Sequence, residues 1–213
     1  MKVRDFNGSN INASKFTAIL FSIFGAFFGL EHGIGEILQG NTSTSGLKIY
    51  AYSAPGLAFP FGREPALSVV PNYLISGILS ILLGLIIIIW SIKLIQIKFG
   101  AVGLLGLSII LFLTGGGFGP FTTLIFASIA ALKINSNFIW WKRLLPFRLR
   151  TFVAKLFPWV TILFLSWIPF ELILGLFFGI DYPYPGYLLA YIFPFIMVFT
   201  VLTAFAHDSL PEN

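Results

Sequence analysis

Glu31, His32 and Glu36 lie within the stretch GLEHGIGE (29–36), directly behind the apolar run FTAILFSIFGAFF. Such a concentration stands out in a chain of which only 10% is charged. At 100° per residue on a helix, His32 and Glu36 share a face one turn apart, while Glu31 points to a different neighbour. A histidine titrates near neutrality, and Glu/His groups inside a membrane are the apparatus of proton relays. With Glu171, in SWIPFELILG, the same residues also form an N/O donor set of the kind that holds a divalent cation. The spacing lacks the paired histidines of H-E-x-x-H, so proton handling needs less of this sequence than a metal does. No organic cofactor is expected.

These residues need elements to position them, and composition says which. The 213-residue chain is 57% hydrophobic with a mean hydropathy of +0.93. A soluble domain carries about 25% charged residues, so this chain has too little polar surface to cover itself in water. Five continuous apolar blocks, near 16–38, 72–97, 99–132, 152–179 and 187–206, read as membrane helices and lack the alternation of barrel strands. The third block would make a helix of about 51 Å, against a hydrocarbon core of roughly 30 Å. It carries TGGGFGP (114–120) at its centre, where Gly115, Gly116 and Gly117 break a helix and Pro120 restarts one in its first turn.

The expected fold is therefore an all-α integral membrane protein: one compact bundle of about six membrane helices over residues 1–213. Its third block splits into a hairpin or re-entrant pair near 99–114 and 120–133. Lysine and arginine positions support the split. With a cytoplasmic N-terminus and six elements, all of them except Lys48 and Arg63 fall on the inside, 11 of 13, and both termini are cytoplasmic. The N-terminal segment reads as a retained tail (1–14) and first helix, since no A-x-A-type cleavage site follows it.

Two connections have their own character. Residues 39–71 form a long outer loop with four prolines and the aromatic stretch KIYAYSAPGLAFPF, expected to cover the outer mouth of the bundle. Residues 134–151 mix Trp140, Trp141 and Phe147 with Lys142, Arg143, Arg148 and Arg150, which suits a cytoplasmic interfacial segment touching anionic lipid headgroups over 140–150.

Gly25, Gly29 and Gly33 recur every four residues, a small-residue stripe that lets another helix approach closely, within the chain or in a homo- or hetero-oligomer. Glu31, His32, Glu36, Glu171 and the TGGGFGP break all count to the same outer third of the membrane. A proline at 169 frees the carbonyl of Leu165 just below Glu171. Ionisable groups at that depth are costly and usually functional. His207 and Asp208, at the far end of the last helix, read as a solvated terminus.

Much chemistry is excluded. There is no cysteine, hence no disulfide and no thiolate metal site. There is no G-x-S-x-G, no Walker loop and no dinucleotide fingerprint. The net charge of +5 follows membrane topology rather than a nucleic-acid stripe. Three expectations remain: a small transporter or ion- or proton-conducting protein of the plasma membrane with an outer Glu/His site; a membrane-embedded, metal-assisted enzyme acting on a lipid-linked substrate; and a non-catalytic subunit docking through the glycine stripe.

Overall fold

A computed structural model describes residues 12–52, 65–178 and 183–211. It is mostly helical. In chain order come α1 (Ala13–Ile37), β1 (Lys48–Tyr50), β2 (Pro65–Leu67), α2 (Tyr73–Lys93), α3 (Gly100–Leu113), α4 (Phe118–Ala131), α5 (Ile139–Leu144), α6 (Phe147–Phe178) and α7 (Pro183–Asp208). Among the described residues, three helical stretches are long and apolar enough to cross a membrane: α1, α2 and residues Phe147–Trp167 of α6. The architecture fits a helical membrane bundle.

α1 is the central post, packing against α2, α4 and α7. Asn12 caps its start, the side chain accepting from Lys15 N at 2.8 Å, and Asn72 caps α2 in the same way through Ile75 N at 3.1 Å. α2 is patterned inside-out relative to a helix in water. Ser76, Ser80, Gly84, Ile87 and Ser91 are buried at helical spacing, whereas Ile75, Ile78, Leu82, Leu85, Ile89 and Ile92 are exposed on the opposite face. Small residues inward and large apolar residues outward are what lipid selects, because close van der Waals packing replaces the hydrophobic drive there.

The third apolar block is split as the glycine run requires. α3 and α4 are 14 residues each, joined by a break at 114–117, and Pro120 lies in the first turn of α4. At about 21 Å each, both fall short of the hydrocarbon thickness. Gly115 and Gly117 have φ of 101° and 83°, the left-handed region that side chains disfavour.

Contacts sort the ends of the bundle. At one end the start of α1 meets the α2–α3 turn, with Lys15 Nζ donating to Gln96 Oε1 at 2.6 Å. Asn12 Nδ2 also reaches the Ile134 carbonyl there, at 2.7 Å. At the other end the last turn of α1 meets the break and the connection between α1 and α2. That connection is not a plain loop: β1 and β2 pair antiparallel, with Ile49 opposite Ala66. Part of the expected aromatic cover is described, and it packs inward, with Ile49, Ala51 and Tyr52 buried. Pro55, Pro60 and most of the remaining stretch lie outside the described residues.

The basic aromatic segment divides its rings. Trp140 and Phe147 are exposed, with Lys133 and Arg150 over their respective faces at 5.8 and 5.6 Å. Trp141 turns inward instead, edge-on to Phe205 at 6.5 Å. Adjacent residues on a helix differ by about 100°, so α5 cannot present both tryptophans to one surface. On the far side of α1, Phe21 and Phe24 meet Phe164 of α6, which stacks on Phe193 of α7 at 5.4 Å.

Candidate functional site: the Glu36–His32 face against the helix break

His32 and Glu36 are 2% and 0% exposed, and the glycine break is what they touch. A methyl group built on Gly115 would lie 2.7 Å from Glu36 Cδ and nearer still to Oε1. One on Gly117 would lie 2.6 Å from His32 Cε1 and nearer still to Nε2. The carboxyl group and the imidazole thus occupy the space that side chains at 115 and 117 would need. Gly115 and Gly117 serve two purposes at once, the left-handed turn and the close approach of titratable groups.

A ring of small polar groups surrounds the break. The Thr114 carbonyl accepts from Ser76 Oγ at 2.7 Å and Ser80 Oγ at 2.8 Å, both reaching across from α2. Ser68 Oγ bonds Ser76 Oγ at 2.8 Å. Strand β2 and the two residues after it continue the ring: Gly115 N donates to the Leu67 carbonyl at 3.0 Å, Val69 N to the Leu113 carbonyl at 2.9 Å, and Ser68 bridges Thr114. The α1–α2 connection is therefore hydrogen-bonded directly onto the broken backbone, which satisfies groups a helix would otherwise have paired internally.

Glu36 stands apart within this ring. Ser76 and His32 are its polar neighbours, yet neither carboxyl oxygen has a hydrogen bond of good geometry. The Ser76 proton has competing acceptors in Thr114 O and Ser68 Oγ, so the carboxyl group holds at most a share of it. A carboxyl group in that position either stays neutral by holding a proton of its own or, when ionised, needs a positive charge beside it, an imidazolium at His32 or a bound cation.

Glu31 lies about 140° around α1 from Glu36; its backbone carbonyl accepts from Tyr52 Oη at 3.1 Å. Glu171 falls on α6, but its side chain lies outside the described residues. Two surface depressions among the described residues, of about 690 and 390 Å³, are lined by residues such as Trp140, Arg143, Lys98 and Ala131, and neither is lined by His32 or Glu36. Among the described residues, no three His, Asp or Glu side chains gather as a metal-binding group. At the first turn of α4, Gly117, its cap, faces His32, while Thr122 and Thr123 turn their hydroxyls back to the Phe118 and Gly119 carbonyls.

The glycine stripe is used inside the chain. Gly25 faces Leu124 and the Pro120 carbonyl of α4, Gly29 faces Leu111 of α3, and Gly33 faces Gly77 and Ile81 of α2. Gly25 and Gly33 seat two different helices, α4 and α2, while Gly29 admits the Leu111 side chain from α3. Two partners escaped the sequence reading. Gly35, beside Tyr52, lies off the four-residue register, and Asp208 accepts from Ala13 N and Ser14 N, both at 2.7 Å. The C-terminal end of α7 thereby caps the start of α1: the Asp208 side chain, expected at a solvated terminus, is 6% exposed, whereas His207 beside it is 56% exposed as expected.

Comparison with protein-family models, curated proteins and solved structures found no match.

Proposed function

We propose that the protein is a small membrane transporter or ion-conducting protein whose working groups are Glu36 and His32 at the α3–α4 break. The observation that carries this reading is the fully buried Glu36 carboxyl group, packed on a left-handed glycine of a broken helix pair without a good hydrogen bond. Ionisable groups within the membrane cost about 2.5–3.5 kcal/mol on insertion scales and mark ion pathways and proton relays. Broken helices at membrane depth line binding sites in transporters for a related reason, since irregular backbone is tolerated only within protein or around a cavity. Glu31 and Glu171 belong to the same proposal as the further acids of the apolar helices.

The orientation that suits this reading places both termini in the cytoplasm and the Glu36 end outward, in the plasma membrane. Lys15, Lys93, Lys98 and Lys133 at the opposite end from Glu36 support it, and the exposed Lys142, Arg143 and Arg148 beside Trp140 suit contact with anionic headgroups. Neither an enzyme nor a docking subunit draws comparable support. No metal-ligand group gathers among the described residues, and the glycine stripe is occupied by the chain's own helices.

The test is flux. Purified protein in liposomes is given gradients of protons, sodium and potassium in turn, and Glu36→Gln is compared with wild type at equal folded amount. Wild-type flux that falls in the variant to the level of protein-free vesicles is the expected result. Wild-type vesicles no leakier than empty ones to any of these ions would overturn it.

A further inference from the structure

We infer that the ion held at Glu36 is a proton, and that the described conformation is its occluded state; this rests on reading Glu36 as a working group. The argument is one of space. Both carboxyl oxygens have essentially no accessible surface, so no void the size of a water adjoins them. Gly115 packs directly against the carboxyl group from one side, and Ser76 lies beside it with its hydroxyl engaged at Thr114 and Ser68. Hard metal cations need shells of about six to eight oxygens, often with waters retained. The carboxyl oxygens, without accessible surface, leave no room for the waters of such a shell. A proton needs one oxygen lone pair and no added volume.

The charge environment agrees. On α1 itself His32 is the titratable neighbour, one turn away. Residues 99–132, which hold α3, the break and α4, contain no titratable side chain. α2 brings Ser76 and, at its start, Tyr73. The β1–β2 segment brings Lys48, Tyr50 and Tyr52, but Lys48 is exposed with Nζ over the Tyr50 ring at 5.4 Å, and Tyr52 Oη donates to the Glu31 carbonyl. His32 is therefore the one basic side chain facing Glu36 among the described residues. Proton binding here is simple addition to a carboxylate oxygen; release returns the carboxylate, and no other reagent takes part. Exchange with either side requires the break to part from α1 or from the segment Leu67–Val69, whose bonds to Leu113 and Gly115 close it.

Two measurements on the full chain decide this. Infrared difference spectra between acid and alkaline buffers are recorded for wild type, Glu36→Gln and Glu36→Asp, and proton and sodium fluxes are compared in liposomes. The expected result is a protonated-carboxyl band that titrates in wild type, is shifted in Glu36→Asp and is lost in Glu36→Gln, with proton flux exceeding sodium flux. A titrating Glu36 band without flux of any ion upholds the proton site and overturns the transport reading. Sodium flux matching or exceeding proton flux, with no band assignable to Glu36, overturns the proton site and leaves the transport reading standing. If Glu36→Gln does not accumulate, the shift in Glu36→Asp makes the assignment; a wild-type spectrum without a titrating carboxyl band overturns the proposal by itself.

Discussion

The Glu36 carboxyl group rests against the α-carbon of Gly115, so a titratable group of α1 and the left-handed turn between α3 and α4 share one site. Either feature alone has an ordinary explanation: a buried hydrogen-bonded acid, or a glycine hinge. Their contact requires the glycine twice, once for φ of 101° and once for space.

Gly115→Ala therefore carries two penalties. Holding alanine in the left-handed region costs about 1–2 kcal/mol, and the new methyl meets the carboxyl group. Adding Glu36→Ala removes the second penalty and leaves the first. Thermal unfolding in detergent should show a large loss for Gly115→Ala and a positive coupling in the double variant of roughly 1 kcal/mol. Gly119→Ala, at a helical position with nothing within 4 Å of its Cβ site, is the control and should be neutral or gain up to about 1 kcal/mol. Equal losses at 115 and 119 would show that the contact has no energetic role.

The Gly33–Gly77 crossing makes a sharper ranking. A methyl on Gly77 would lie 2.5 Å from the Gly33 carbonyl oxygen and 3.0 Å from Ile37 N, both backbone. One on Gly84 would meet the end of the Leu30 side chain at 2.9 Å and the Ala26 carbonyl at 3.1 Å. Backbone in a packed helix pair cannot yield without separating the helices, whereas a leucine tip can change rotamer. Gly77→Ala should cost about 1–3 kcal/mol as an overpacking change, and Gly84→Ala distinctly less. A reversed order in unfolding midpoints would contradict the packing described here.

Which parts of this were legible in the sequence follows from what each depends on. The split of the third block was legible because three consecutive glycines and a proline decide local backbone conformation regardless of neighbours. The common depth of Glu36 and the break was legible because span length converts to depth at 1.5 Å per residue. Their contact was not, since it depends on how far α1 is rotated, and Gly25, Gly29 and Gly33 set that rotation through three different partner helices. The buried face of α2 was readable in SGILSILLG, where Ser76, Gly77, Ser80 and Gly84 fall at helical spacing. β1 and β2 have three residues each, too short for an alternating pattern to register.

Ser76 and Ser80 back each other up. Both donate to the Thr114 carbonyl, at 2.7 and 2.8 Å, and a buried carbonyl keeps its satisfaction while one donor remains. Ser76→Ala and Ser80→Ala should each cost under about 1 kcal/mol, whereas the double variant leaves the carbonyl without either donor and should lose about 1–3 kcal/mol more than the sum. Simple additivity in unfolding measurements would mean that only one serine supports the break.

The tie between the two ends of the chain is the last prediction. Asp208 accepts from Ala13 N and Ser14 N at 2.7 Å each, and Asn12 accepts from Lys15 N at 2.8 Å, so three consecutive amides of the first turn of α1 are satisfied by two side chains. The carboxylate also lies at the positive end of the α1 dipole. Asp208→Ala should destabilise by about 1–2 kcal/mol, in the range of a lost helix cap. Asp208→Asn keeps one acceptor oxygen and should lose about half as much. Because the cap reaches α1 from α7, the loss should surface as earlier proteolysis around residues 12–16 and not as a change in ion flux. A flux defect in Asp208→Asn at full stability would instead draw the capping residue into the function proposed for Glu36.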